Sequence, residues 1–224
     1  YVSVVDTNRL EKHRDIPLLS ALKDYSLQDI AAFDVPGHKR GQGVKVLNQY
    51  FGHDLMRMDV NSLPLLDNVS NAKGGIKEAQ ELLADAYHAD AAFFMTNGTT
   101  SAIHCMLMSV LGPNDKVLLP RNIHKSALNG LILCGATPVY LPTEMLGKEG
   151  IACNVRPSVI ESMLDQDSNI KAVFLLNPTY YGFVTDLEQI IKICHQRDVL
   201  VLVDEAHGAH FPFHPDLPPS GIEL

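Results

Sequence analysis

Short apolar runs alternate with amphipathic stretches from about residue 75 to residue 204 of the chain. A run of about four to eight apolar residues is typical of a buried strand, whereas apolar residues spaced three and four apart indicate a helix. By these criteria we predict strands over residues 91–95, 116–120, 137–142, 171–177 and 199–204. We predict helices over residues 77–89, 99–111, 124–135, 156–166 and 186–197.

The alternation predicts an α/β fold. Strands that are apolar throughout need cover on both faces, and a mostly parallel sheet with helices on both faces provides it. Upstream, PLLSALKDYSLQ (residues 17–28) predicts an amphipathic helix and FDVPGHKRGQG (residues 33–43) a glycine-rich loop. We therefore expect an N-terminal helical arm over residues 1–60 and an α/β domain over residues 61–224.

Composition and charge narrow the classes of function. A formal net charge of −8 argues against broad binding to nucleic acid or to anionic membranes. No apolar run reaches the roughly 18 residues that cross a bilayer, and the first residues lack the profile of a signal peptide. The cysteines form no CxxC pair, so we expect reduced, buried thiols in a cytoplasmic protein. They are Cys105, Cys134, Cys153 and Cys194.

Polar segments follow the predicted strands, at the sheet edge where ligands of such folds bind. In MTNGTTSA, Gly98 forms a turn before Thr99, Thr100 and Ser101 at a predicted helix start. Free backbone N–H groups and hydroxyls there favour a phosphate. Because serine and threonine are also common helix caps, an ordinary N-cap is the alternative.

VLVLVDEAH ends an apolar strand on Asp204, and a buried carboxylate is costly unless a positive group meets it. One alternative is an aspartate that caps the following turn. A Walker B strand is excluded, because no GxxxxGK[ST] loop occurs in the sequence. The third interpretation is a counter-charge for a protonated ring nitrogen, such as that of pyridoxal phosphate. Ala206, two residues on, could then lie under a flat ring.

Histidines accompany these segments. His124 follows a predicted strand and opens a helix, where its ring could stack on a cofactor or bond the backbone. His207, His210 and His214 have HxxHxxxH spacing, but they lie in a segment rich in proline and glycine. Zinc ligands usually lie on regular elements or knuckles, so we predict no metal site and treat these as loop histidines.

Five motifs occur in order over residues 17–224: FDVPGHKRG, GGIKEAQELLADAYHADAAFFMTNGTTSA, PRNIHKSALNG, NPTYYG and VLVDEAHGAH. Together they resemble the pyridoxal-phosphate-dependent ornithine/lysine/arginine decarboxylases of the aspartate-aminotransferase fold type (fold type I). PGHK combined with N-x-H-K-S favours this branch over ordinary aminotransferases. The resemblance implies pyridoxal 5′-phosphate as cofactor and a basic amino acid as substrate.

The resemblance also implies roles for individual residues. Those expected to bind the cofactor are Gly98, Thr99, Thr100, His124, Thr179, Asp204, Ala206 and His207. Thr99 and Thr100 would hold the phosphate, and Thr179 would lie near the 3′-oxygen. His124 would stack on the pyridine ring, Ala206 would pack on its opposite face and Asp204 would pair with the ring nitrogen. His124, Asp204 and His207 are the expected catalytic residues, with His207 close to the Schiff base.

In this family the Schiff-base lysine lies in an S-x-H-K-type motif a few tens of residues after the DEAH-like strand. The present sequence ends at Leu224 before such a motif. We therefore expect the amino-terminal part of an enzyme, truncated before that lysine and inactive by itself. The expected reaction releases CO₂ and an amine from arginine, lysine or ornithine, in a homodimer or higher homo-oligomer. A non-catalytic fragment and an aminotransferase or lyase of the same fold type stay open as alternatives.

Overall fold

A computed structural model describes residues 11–224, so the first ten residues of the predicted arm lie outside the described residues. The chain divides into two compact units, one ending at Phe94 and one spanning Met95–Leu224. The boundary that the sequence suggests near residue 60, between arm and α/β domain, stays a prediction.

The first unit is helical. The helices predicted from residues 17–28 and 77–89 are confirmed with slightly different ends, and two short helices between them were not predicted. At seven and six residues, these two are too short to show a helical period. The described helices of this unit are α1 (Pro17–Leu27), α2 (Lys45–Phe51), α3 (His53–Met58) and α4 (Gly75–Ala86), with a 3₁₀ turn at Val69–Asn71.

Arg40 orders the glycine-rich loop that follows α1. Its buried guanidinium donates hydrogen bonds to the backbone carbonyls of Tyr25 (3.1 Å), Ser26 (2.8 Å) and Gln28 (2.9 Å). The last carbonyls of a helix have no partner within the helix, and a cation is favoured beside them. Arg40 therefore caps the carboxyl end of α1 and ties the loop to it.

Asp67 caps the start of α4 from outside the helix. Its Oδ1 accepts hydrogen bonds from the backbone N–H groups of Asn68 and Lys73, both at 2.8 Å. Its Oδ2 accepts from Gly74 (2.8 Å) and Ile76 (3.1 Å). Partial burial raises the pKa of this carboxyl, but the backbone hydrogen bonds outweigh it and hold the pKa well below its ordinary value of 3.8.

The second unit alternates strands and helices, as the sequence predicts. Its helices are α5 (Gly98–Val110), α6 (Lys125–Cys134), α7 (Pro157–Gln166) and α8 (Leu187–His195), followed by a 3₁₀ turn at Phe211–Phe213. Its strands are β1 (Lys116–Pro120), β2 (Thr137–Leu141), β3 (Met145–Leu146), β4 (Ile151–Ala152), β5 (Ile170–Leu176) and β6 (Leu200–Asp204).

Four of these strands form one parallel sheet in the order β2-β1-β5-β6, while β3 and β4 form a separate antiparallel hairpin. Successive strand residues point to opposite faces. Val117, Leu119 and Phe174 pack in one cluster with residues of α5 and α6. Leu118 and Val173 pack on the other face with residues of α7 and α8. The predicted parallel sheet with helices on both faces is therefore confirmed.

Three features differ from the sequence-based expectations. The strand predicted over residues 91–95 is wrong, because this segment pairs with none of the described strands and Phe93 is 71% exposed. The two-residue strands β3 and β4 were not predicted. The four cysteines are free thiols as expected, but only Cys134 and Cys194 are buried, whereas Cys153 is half-buried and Cys105 is exposed. It lies on α5 between Ile103 and Leu107, which face the sheet and turn Cys105 away from it.

Candidate active site

A cavity of about 270 Å³ lies at the carboxyl ends of β5 and β6, inside the second unit. It includes six of the eight residues that the sequence proposes for cofactor binding. Gly98 and Thr179 are not among the lining residues. The lining consists of Thr99, Thr100, Ile103, His124, Leu176, Tyr180, Asp204, Ala206 and His207.

One side of the cavity is the amino end of α5. Asn97 and Gly98 both have positive φ angles, +71° and +69°, and this turn leads the chain sharply into the helix. The side chain of Asn97 makes no capping hydrogen bond. The first backbone N–H groups of α5 therefore have no side-chain acceptor from their own N-cap, and Thr99 and Thr100 add hydroxyls beside them. This arrangement suits an anion.

Asp204, the last residue of β6, lies at the cavity and is only 4% exposed. Its Oδ1 accepts one hydrogen bond, from the backbone N–H of Ala206 at 3.1 Å. No lysine or arginine within residues 11–224 forms an ion pair with it. The turn-capping alternative is thus observed, yet it leaves a buried carboxylate whose charge no protein cation balances.

His124 is held by its own helix. It is the N-cap of α6, and its Nδ1 accepts a hydrogen bond from the backbone N–H of Ser126 at 3.2 Å, with the Ser126 hydroxyl 2.7 Å away. The hydrogen bond to the backbone raised by the sequence is therefore observed, and the ring also lines the cavity, while stacking on a cofactor stays a prediction. An Nδ1 that accepts leaves Nε2 as the protonated nitrogen of a neutral imidazole.

His207 lies at the cavity together with Tyr180. Their rings meet edge to face, with centroids 5.4 Å apart and an interplanar angle of 65°. Burial, and then the negative charge of Asp204, raise the pKa of the Tyr180 phenol. Sequence reasoning missed Tyr180, although it quoted NPTYYG. The signal was its position four residues beyond β5, a strand that ends at the cavity, but the sequence alone does not tell which side chain of a turn points inward.

Thr179 lies next to Tyr180 but has a different environment. It is 4% exposed, its N–H donates to Phe183 O at 2.9 Å and its Oγ1 accepts from Phe183 N–H at 3.2 Å. These bonds close the turn that carries Tyr180. The expected position of Thr179 near the cofactor's 3′-oxygen stays a prediction.

The other two loop histidines contact different side chains. His210 packs edge to face on Phe211, and His214 lies 3.9 Å from Asp216. Among residues 11–224 no three His, Cys, Asp or Glu side chains lie close enough to share a metal ion. Within the same residues, no helix has both the length and the apolar character to cross a membrane.

A family model described as Orn/Lys/Arg decarboxylase, major domain, matches residues 16–224. The chain belongs to this family. Its relatives include the arginine decarboxylase of Bacillus cereus, 42% identical over 210 residues that cover 93% of this chain and 46% of that protein. The arginine decarboxylase of Bacillus subtilis is 38% identical, with 93% and 43% covered. The chain thus spans less than half the length of these arginine decarboxylases.

Solved structures give the same family fold. Lysine decarboxylase A from Pseudomonas aeruginosa matches with a TM-score of 0.80 and 26% identity over 96% of this chain and 31% of that chain. The constitutive lysine decarboxylase of Escherichia coli matches with a TM-score of 0.77 over 93% of this chain and 31% of that chain. At 23% identity, the second likeness shows the fold alone. Members of the Orn/Lys/Arg decarboxylase family depend on pyridoxal phosphate.

Proposed function

We propose that the protein takes part in the pyridoxal-phosphate-dependent decarboxylation of arginine, lysine or ornithine to the corresponding amine and CO₂. The observation that supports this proposal is the burial of the Asp204 carboxylate at the cavity. A carboxylate that is 4% exposed and has no ion pair with a lysine or arginine of residues 11–224 favours a positive ligand group. A protonated pyridine nitrogen is such a group, and a carboxylate within hydrogen-bond reach raises its pKa by about 1–3 units.

The remaining cavity residues fit the other parts of the same cofactor. Thr99 and Thr100, at the amino end of α5, are suited to its phosphate, because the helix dipole and free N–H groups favour negative charge. His124 offers a flat ring whose orientation is fixed by the cap on α6. Ala206 offers a small side chain that leaves room for a ring to rest against it.

When bound, pyridoxal phosphate supplies an electron sink for the pair of electrons released as the Cα–carboxylate bond breaks. Asp204 would hold the proton on the ring nitrogen, which is electrostatic stabilisation by a group already in place. The α5 threonines and His124 would hold the cofactor in a fixed position. We assign His207, at the same cavity, to proton exchange with the ligand.

Arginine is the first substrate to test, since the relatives at 38–42% identity named above are arginine decarboxylases. Two alternatives have distinct outcomes. An aminotransferase of this fold type would yield a keto acid instead of an amine and CO₂. After treatment with pyridoxal phosphate and borohydride, an enzyme would gain the mass of one reduced cofactor on its Schiff-base lysine. A non-catalytic chain would show no such gain in mass.

We further propose that the protein acts in the cytoplasm as a homodimer or higher homo-oligomer. The support for self-association is an apolar exposed surface on α6, where Leu128, Ile132 and Leu133 are 39%, 78% and 59% exposed. Leu128 and Ile132 are one helical turn apart and so share a face. A monomeric protein rarely leaves such side chains grouped in water.

The decisive experiment is Asp204→Asn in the complete natural polypeptide, with Asp216→Asn as the matched control. Asp216 has a side chain that is 90% exposed and does not line the cavity. We expect Asp204→Asn to lower the rate of CO₂ release from arginine by about 10²-fold or more, the scale for loss of one electrostatic stabiliser. Both variants should melt near the wild-type temperature. Normal turnover in Asp204→Asn would refute the assigned role.

A further inference from the structure

Tyr180 contributes a ring to the cavity but has no part in the chemistry proposed above. Tyr180 as a whole residue is 52% exposed, so it lies at the solvent side of the cavity, whereas Asp204 is buried. Its neighbour there is His207, at a ring-centroid distance of 5.4 Å. This edge-to-face geometry is the favourable one for two aromatic rings.

The turn that carries Tyr180 is rigidly closed. Gly182 N–H donates to Thr179 O at 3.0 Å, and two further hydrogen bonds join Thr179 to Phe183. Because Thr179 is buried, the turn cannot tilt without exposing it. The backbone that carries Tyr180 is therefore held in place.

The segment that carries His207 packs directly against this turn. A Cβ atom on the buried Gly208 would lie 2.8 Å from Pro178 Cδ and 3.2 Å from Asn177 O. Only glycine allows the two segments to approach so closely. Behind them, Asn177 N–H donates to Asp204 O at 3.0 Å and continues the pairing of β5 with β6. The segments after the two strands thus form one packed unit.

We infer that Tyr180 is a positioning residue, whose ring holds the His207 imidazole in place at the cavity before a ligand binds. His207 is itself exposed, and the contact with Tyr180 restricts a side chain that would otherwise be free to turn into solvent. The inference rests on the proposed function only for its consequence, which is tighter binding of the cofactor. A pre-ordered side chain binds more tightly because less ordering remains to be done.

The first measurement is the ¹³Cε1–Hε1 NMR signal of His207, recorded on the complete ¹³C-histidine-labelled protein before cofactor is added. His207→Gln assigns the signal by removing it. Tyr180→Leu should move the signal, since the ring current of Tyr180 is lost, and Tyr180→Phe should restore the wild-type position. Tyr181→Leu, in the neighbouring tyrosine that does not line the cavity, should leave the signal unchanged.

The second measurement is the affinity for pyridoxal phosphate, followed by absorbance titration. We expect Tyr180→Leu to bind about 2- to 10-fold more weakly, from the usual strength of an aromatic pair. A His207 signal that Tyr180→Leu does not move would overturn the inference, even if affinity falls. So would a Tyr180→Phe signal that matches Tyr180→Leu, because the hydroxyl would then be the active group.

The two proposals fail separately. If the wild-type protein binds no pyridoxal phosphate, the proposed function is refuted, while the NMR comparison still decides whether Tyr180 orders His207. If the cofactor binds and the His207 signal is the same in wild type and Tyr180→Leu, only the positioning role of Tyr180 is refuted.

Discussion

At the scale of single residues, His124 combines two tasks that one substitution can separate. Its Nδ1 caps α6 through Ser126, and its ring forms part of the cavity. Capping needs only an acceptor near the N–H groups of the first turn, which asparagine also supplies. Stacking on a cofactor needs a flat aromatic ring, which asparagine lacks.

We expect His124→Ala to lower the free energy of unfolding by about 0.5–2 kcal/mol, the range for removal of an N-cap. His124→Asn should keep most of this stability. Both variants should bind pyridoxal phosphate more weakly than wild type. Chemical denaturation and cofactor titration measure the two effects. Equal stability loss in both variants would contradict the capping role, and wild-type affinity in both would contradict stacking.

At this scale the sequence singles out residues where unusual chemistry and strand position coincide. A carboxylate at the end of an apolar strand is unusual enough to select Asp204, which the structure shows buried at the cavity. Its role toward a cofactor stays a prediction. Tyr180 could not be chosen over Tyr181 in this way. Their chemistry is identical, and only the closed turn at Thr179 decides that Tyr180 reaches the cavity.

At the scale of elements, the start of α4 shows how a loop can complete a helix. The Asp67 carboxylate accepts hydrogen bonds from backbone N–H groups that have no carbonyl acceptor within the helix. Because hydrogen bonds to the ionised form lower its pKa, the folded state favours the carboxylate more than the unfolded chain does. Asp67 therefore couples the stability of this helix to pH in the acidic range.

We expect Asp67→Asn to unfold at a lower temperature than wild type at pH 7. The stabilisation by Asp67 is full above the ordinary pKa of 3.8 and is lost as pH falls below it toward the depressed folded-state value. The gap between the two melting temperatures should therefore narrow below pH 4. Asp29→Asn, at an exposed carboxylate of the same unit, is the control and should show no such gap. A gap that widens on acidification would contradict this account.

Helices and strands were predictable from sequence where the spacing of apolar residues is regular and turn residues mark the ends. The helices α7 and α8 show clear apolar periods, and the four parallel strands are short apolar runs between turn signals. The segment over residues 91–95 has the same composition without being a strand. A strand requires a hydrogen-bonded neighbouring strand, and the sequence of the segment alone does not show whether such a neighbour exists.

At the scale of the whole molecule, the described residues leave apolar surface in water. The exposed side chains of α6 belong to a helix whose other side packs in the core beside β1. The helix is thus apolar on opposite sides, which is typical of an element buried between two layers. Self-association of the chain would cover the outer side.

We expect Ile132→Glu to weaken self-association by about tenfold or more, because burial of one large aliphatic side chain contributes about 1.5–3 kcal/mol. Sedimentation velocity over a range of concentrations measures the effect. Met145→Glu, a charge placed on another exposed apolar residue, 59% exposed and in the β3–β4 hairpin, is the control. An unchanged oligomeric state in Ile132→Glu would exclude this face from the interface.

The contact of Gly208 with Pro178 also constrains how this sequence can drift over evolutionary time. A side chain at position 208 would meet the proline ring at 2.8 Å, Asn177 O at 3.2 Å and the Phe211 ring at 3.3 Å. Replacing the proline alone would therefore leave two close neighbours in place. We expect glycine to persist at position 208 for as long as these two segments stay packed.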